Sequence, residues 1–153
     1  MKTWRICALV IMALALALAG ARAQEPANFQ RARWGQTLAQ VMEGEPETLW
    51  NNLNGQEQVL TKDAQAFGLE ALVIYTFEGG ALKKGGLVFQ EEHYFAWGYL
   101  DDYLRAKDAL TGQYGEPEEE AWKATWQTDR TRITLSLASD GAAHSVAVVY
   151  VQN

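Results

Sequence analysis

One stretch, EALVIYTFEGGALKKGGLVF at residues 70–89, constrains the fold of this chain more than any other. Over residues 71–77 only Thr76 interrupts a run of apolar and aromatic side chains. Gly79 and Gly80 follow, and a second apolar segment ends in Leu87, Val88 and Phe89. Strand formers on both sides of a two-glycine break predict a β-hairpin, because glycine adopts the positive φ that tight hairpin turns need. A strand apolar on both faces belongs inside a covered sheet, and helices are the expected cover.

The flanking sequence supplies those helices. Thr37 is a suitable N-cap for a short helix carrying Leu38, Val41 and Met42 at helical spacing, and Gly44-Glu45-Pro46 stops it. Residues 47–55 are read as a further helical turn and residues 58–65 as a strand resting on Val59 and Leu60. Residues 24–32 are polar and expected to lie loosely over the surface. A second helix is predicted over 96–113, with Leu100, Tyr103, Leu104, Lys107, Leu110 and Tyr114 on one stripe. Gly115-Glu116-Pro117 ends it in the same words as the first.

Two alternating segments follow, with Trp122, Ala124, Trp126 and Thr128 on one side of the first and Ile133, Leu135 and Leu137 on one side of the second. Ser139-Asp140-Gly141 makes a turn before a last strand at 146–151. The recurring Gly-Glu-Pro admits two readings: an αβββ-αβββ internal duplication, or a common helix stop met twice. Either way the expected class is α+β, a two-layer antiparallel sheet with helices on one face, forming a single domain over residues 24–153.

The N-terminus has the pattern of an export signal at residues 1–23. Lys2 and Arg5 flank the start of an apolar stretch from Ile6 to Ala19, which is too short to span a membrane and is closed by Gly20 and Arg22; Ala21-Arg22-Ala23 then forms an A-x-A cleavage site. Cleavage after Ala23 would leave 130 of the 153 residues and shift the formal charge from −6 to −9, with 10 basic against 19 acidic residues. The expected product is periplasmic or secreted, without a membrane anchor. Its one cysteine, Cys7, falls in the signal, so the mature chain needs no disulfide. Its acidity disfavours nucleic acid and anionic membranes, which call for clustered Lys and Arg.

Trp34-Gly35-x-Thr37, the YTFEGGALKKGGLVF hairpin, the Gln113-Tyr114-Gly115-Glu116-Pro117 helix end and the TRITLSL strand together resemble a family of small exported bacterial envelope proteins. More distantly, Gly35-x-Thr37-x-x-x-Val41 followed by Gly44-x-Pro46 is similar to the opening helix of the SmpA/OmlA (BamE-like) lipoproteins and of the β-lactamase-inhibitor-protein fold. The chain departs from that pattern in a shorter Val41-to-Gly44 spacing and in lacking a lipidated cysteine. The resemblance implies protein binding rather than catalysis, and a fold-level likeness carries little about function.

No residue pattern marks a catalytic, cofactor-binding or metal site. Gly-x-Ser-x-Gly is absent, and Gly79-Gly80 and Gly85-Gly86 lack the Gly-Lys-Ser/Thr of a phosphate loop. The second glycine pair is read as a bulge or a close approach of a helix. Glu91-Glu92-His93 is the one acid–imidazole cluster, with Asp140 and His144 as a looser echo, and neighbours on an extended connection point apart rather than converge on a metal. Glu116 and Glu118-Glu119-Glu120 read as a solvated loop, and Asp101-Asp102 as charges suited to a helix N-terminus.

The aromatics are in surplus. Tyr94, Phe95, Trp97, Tyr99 and Tyr103 fall within ten residues, more than one helix stripe can bury. Tyr94, Phe95, Trp97 and Tyr99 are therefore the candidate partner-binding residues, unless they cap the edge of the core. On the helix wheel Trp97 is expected to continue the inward stripe and Tyr99 to be exposed. The leading function is a non-enzymatic envelope protein that binds another protein or a peptide. The alternatives are a small-molecule or glycan binder using Trp and Tyr as stacking platforms and, last, an enzyme.

Overall fold

A computed structural model of the chain describes residues 27–51, 58–141 and 143–153. The expected signal at residues 1–23 lies outside them. Chain order is α1 (Leu38–Gly44), β1 (Leu49–Asn51), β2 (Gln58–Ala66), β3 (Leu69–Glu78) and β4 (Ala81–Phe89). Then come α2 (Ala96–Tyr114), β5 (Glu118–Glu120), β6 (Lys123–Gln127), β7 (Thr131–Asp140) and β8 (Ala143–Gln152). The strands form one eight-stranded sheet, antiparallel at every pairing, in the order β1-β2-β3-β4-β8-β7-β6-β5. The fold is therefore mixed α+β.

Local chemistry sets the turns and ends. Gly79 and Gly80 both have positive φ, 58° and 79°, and close the β3–β4 hairpin in two residues. Thr37 caps α1 through a capping box: its side chain accepts from the Gln40 N–H, and the Gln40 side chain accepts from the Thr37 N–H. Gly115 at φ 88° ends α2.

Registry places one side-chain row after another on a single face. Leu60, Tyr75, Gly85, Tyr150, Ile133 and Trp126 stand side by side from β2 to β6, and Val73, Leu87, Val148, Leu135 and Ala124 form the next row. All are buried and, Gly85 aside, join one hydrophobic cluster with Val41 of α1 and Tyr103, Ala106 and Leu110 of α2. The opposite face is different. Leu72, Ile74, Val88, Val149 and Val151 remain partly exposed there, so the apolar character of β3 and β8 on both faces does not reflect helices on both sides.

Four local expectations are corrected. Residues 49–51 of the predicted extra helical turn form edge strand β1, while 52–55 lie outside the described residues. The acidic run Glu118–Glu120 is edge strand β5 rather than a loop, held by Glu119 to Lys107 at 2.8 Å and by Glu120 to Lys123 at 3.0 Å. Charged side chains on a short edge strand deter pairing with a foreign strand. Trp122 sits in the β5–β6 turn and is exposed instead of continuing the inward row.

The fourth correction concerns residues 24–32, of which the described part, 27–32, is not a loose surface segment. Phe29 and Ala32 are buried, and Phe29 packs against Tyr75 and Tyr150 at ring-centre distances of 5.2 and 5.0 Å. A Cβ on Gly85 would fall 2.4 Å from the Phe29 ring, so Gly85 is the place of close approach. The approaching group is this segment and not a helix. The glycine pair itself is in regular register, and the bulge lies beyond it, between Thr76 and Phe77 opposite Lys84 and Leu82. Trp34 continues the clamp by donating its indole N–H to Thr131 Oγ1 at 2.8 Å.

Candidate functional site

Helix α2 and the connection before it carry the residues singled out as partner-binding. The buried side of α2 consists of Gly98, Asp102, Tyr103, Ala106 and Leu110. Leu104, expected inside, is 43% exposed. The inward stripe is thus rotated by about a quarter turn from the hydropathy reading at roughly 100° per residue. Small residues and one carboxylate, which contribute nothing to an apolar pattern, face the sheet.

The rotation inverts the expectation for the aromatics. Trp97 is 64% exposed, Phe95 57% and Tyr94 93%. Tyr99 is half-buried, set edge-on to His93 at 4.8 Å and tilted against His144 of β8 at 5.3 Å. Its hydroxyl accepts from the His93 backbone N–H at 3.4 Å. The three exposed rings touch each other: Tyr94 meets Phe95 edge-on at 4.8 Å, and Phe95 stacks near-parallel to Trp97 at 6.3 Å. Tyr94, Phe95 and Trp97 therefore form one continuous aromatic corner, and Tyr99 is part of its foundation. Trp122, exposed on β5–β6, lies edge-on to Tyr103 at 6.5 Å.

A part-buried histidine–aspartate pair that no sequence pattern signals holds the corner. His93 Nε2 stands 2.5 Å from Asp102 Oδ2, and Asp102 is 4% exposed. Asp102 is thus the buried anchor of the His93 ring rather than a solvated charge at a helix end. Gly98 makes the contact possible, since a Cβ there would fall 2.5 Å from the imidazole. Glu91, next to His93 but one, accepts from the Glu70 N–H at 2.6 Å, and Gln90 donates its N–H to Glu70 O at 3.0 Å. The connection is fixed to the sheet on one side and to α2 on the other, so the rings are displayed from a braced loop.

The Glu91-Glu92-His93 cluster does not converge: Glu91 turns to Glu70, Glu92 is exposed and His93 turns to Asp102. Asp140 is exposed, whereas His144 reaches the same tyrosine that His93 touches. Among the described residues, no three His, Cys, Asp or Glu side chains gather as metal ligands, and no helix is long and apolar enough to cross a membrane.

A second polar cluster is buried under α1. Glu45, 2% exposed, accepts from Lys62 Nζ at 2.6 Å, from the Arg31 N–H at 3.0 Å and from the Tyr75 hydroxyl at 3.1 Å. Burial pushes its carboxyl up, but the Lys62 ammonium and the N–H and O–H donors together outweigh burial and hold it below the usual value of 4.5. Burial and the Glu45 charge push the Tyr75 hydroxyl well above its usual range. The Glu45 of Gly44-Glu45-Pro46 is therefore a hub that ties α1, β2, β3 and the 27–34 segment together, while Glu116 of the second Gly-Glu-Pro is exposed.

A concavity of about 330 Å³ beside the core lies among Phe29, Gln65, Phe67, Gln113, Tyr114 and Tyr150. No tryptophan lines it, whereas a hollow of about 350 Å³ on the other side of Tyr114 includes Trp126, itself buried; burial pushes the Tyr114 and Tyr150 hydroxyls up. No family model, no curated protein and no solved structure matches this chain.

Proposed function

We propose that this chain is an exported, non-enzymatic envelope protein that binds another protein or a peptide through the aromatic corner of Tyr94, Phe95 and Trp97. The observation that carries the reading is the exposure of three mutually contacting rings on a loop braced by His93–Asp102 and Glu91–Glu70. Soluble domains rarely leave adjacent large aromatics in water, and exposed aromatic clusters mark binding surfaces because rigid rings desolvate much area for little lost entropy. Export rests on the signal pattern at residues 1–23.

The architecture proposed with it is a two-layer fold built by duplication, finer than the α+β class. In its favour, each half runs one helix and then strands, four rather than the three expected, and the halves meet at β4–β8 in mirrored sheet order. The distant likeness to BamE-like and β-lactamase-inhibitor-type folds belongs to the same proposal. Three rings exposed together on the outside fit a protein partner better than the glycan reading, which calls for a hollow with open Trp and Tyr faces, and the Trp126 beside the Tyr114 hollow is buried.

A photo-crosslinking amino acid at position 97 of the tagged, exported chain tests the reading. It should trap a discrete partner in cells, and the adduct should disappear when Tyr94 and Phe95 are changed to Ala. A crosslinker at Glu78, exposed at the end of β3, is the control. The same adducts at both positions would defeat the proposal.

A further inference from the structure

Resting on the aromatic corner as a docking surface, we infer that the partner segment it takes is cationic and apolar, and that it runs along the outer face of α2. Trp97, Asp101, Leu104 and Asp108 follow at intervals of four, three and four residues, so they form one stripe along the helix. All four are exposed. The stripe lies about opposite the buried side made by Asp102, Ala106 and Leu110, facing away from the sheet. Apolar and acidic side chains alternate along it, with like members two helical turns, or about 10 Å, apart.

The charge around the stripe selects the occupant. Glu92 adds a third exposed carboxylate beside Tyr94, and Arg105 is the one exposed cation on this side of α2. Among the described residues neither Asp101 nor Asp108 is in an ion pair. A segment with Lys or Arg next to aliphatic or aromatic residues would pair with the aspartates while its apolar groups cover Trp97 and Leu104. Its cations would also find the faces of Trp97 and Phe95. A second copy of this chain is a poor occupant, because stripe on stripe would bring four aspartates together in a protein whose formal charge is already −6.

Panning a random linear peptide library displayed on phage against the purified chain at low salt tests this. Enriched peptides should combine Lys or Arg with aromatic or aliphatic residues. A synthesised representative should lose about tenfold in affinity with Trp97→Ser, and again with Asp101→Asn plus Asp108→Asn, at unchanged melting midpoints. Raised salt should weaken it further. Neutral or acidic peptides that need Trp97 but ignore the aspartate changes would overturn the cationic partner and leave the docking surface standing. No enrichment, or peptides indifferent to both sets of changes, would overturn both.

Discussion

The ring of Phe29 occupies the space that a side chain at Gly85 would need, with two of its carbons 2.4 Å from where a Cβ would stand. The two residues are 56 positions apart in the chain, and the side chain that the sheet lacks at Gly85 makes a socket for the N-terminal segment. Gly85→Ala should therefore expel the ring and cost about 1–3 kcal/mol. Gly86→Ala, whose Cβ meets only Ile74 at an ordinary 3.7 Å, should be neutral or slightly stabilising. Urea midpoints check the contrast. In a Phe29→Ala background the Gly85→Ala penalty should vanish, and equal penalties in both backgrounds would refute the socket.

Tyr99 and Trp97 should separate in the same way. Tyr99→Ala removes a ring wedged between His93 and His144 and should lower the melting midpoint by several degrees. Trp97→Ala removes an exposed ring and should change stability by less than about 0.5 kcal/mol. Thermal melts of the two variants decide, and equal shifts would mean the corner is part of the core.

The Glu45 hub gives a pH dependence of definite sign. Its folded carboxyl titrates below the ordinary 4.5, so the stability it adds is fully present above that value and is lost as pH falls through the lower, folded one. Glu45→Gln should remove this component, giving a flatter acid limb in denaturation against pH. At neutral pH the same change strands the Lys62 ammonium, whose side chain is 12% exposed, at a cost of about 3 kcal/mol. An acid limb identical to that of the unmodified chain would show that Glu45 does not carry it.

Facing in β7 is testable by a matched pair. Leu135 is fully buried in the core row, so Leu135→Asp should cost several kcal/mol, on the order of a domain's whole stability. Thr134 points to the other, partly exposed face, and Thr134→Asp should cost less than about 1 kcal/mol. Coincident urea midpoints would reverse the facing.

Export has a direct readout. N-terminal sequencing of the exported protein should begin at Gln24, whereas a membrane-retained product that still carries Lys2 would exclude cleavage after Ala23.

The sequence alone determined what depends on neighbours. Gly79-Gly80 specified a hairpin because two positive φ angles are costly for other residues; Thr37 specified a helix start, and Gly115 a helix stop. Period-two alternation assigned Ile133 and Leu135 to the core face without knowledge of what covers it. Tertiary structure decided what depends on residues far apart. Asp102 reads as a helix-end charge until His93 comes within 2.5 Å of it, and α2 buries Gly98, Asp102 and Ala106, a quarter turn from its apolar stripe, with Gly98 lying against His93, which no hydropathy pattern records. Glu45 became a buried hub only when Lys62, Tyr75 and the Arg31 N–H converged on it. The physical reason is common to all three: a polar or small residue declares its burial through its partners, and the chain brings those partners together only when it folds.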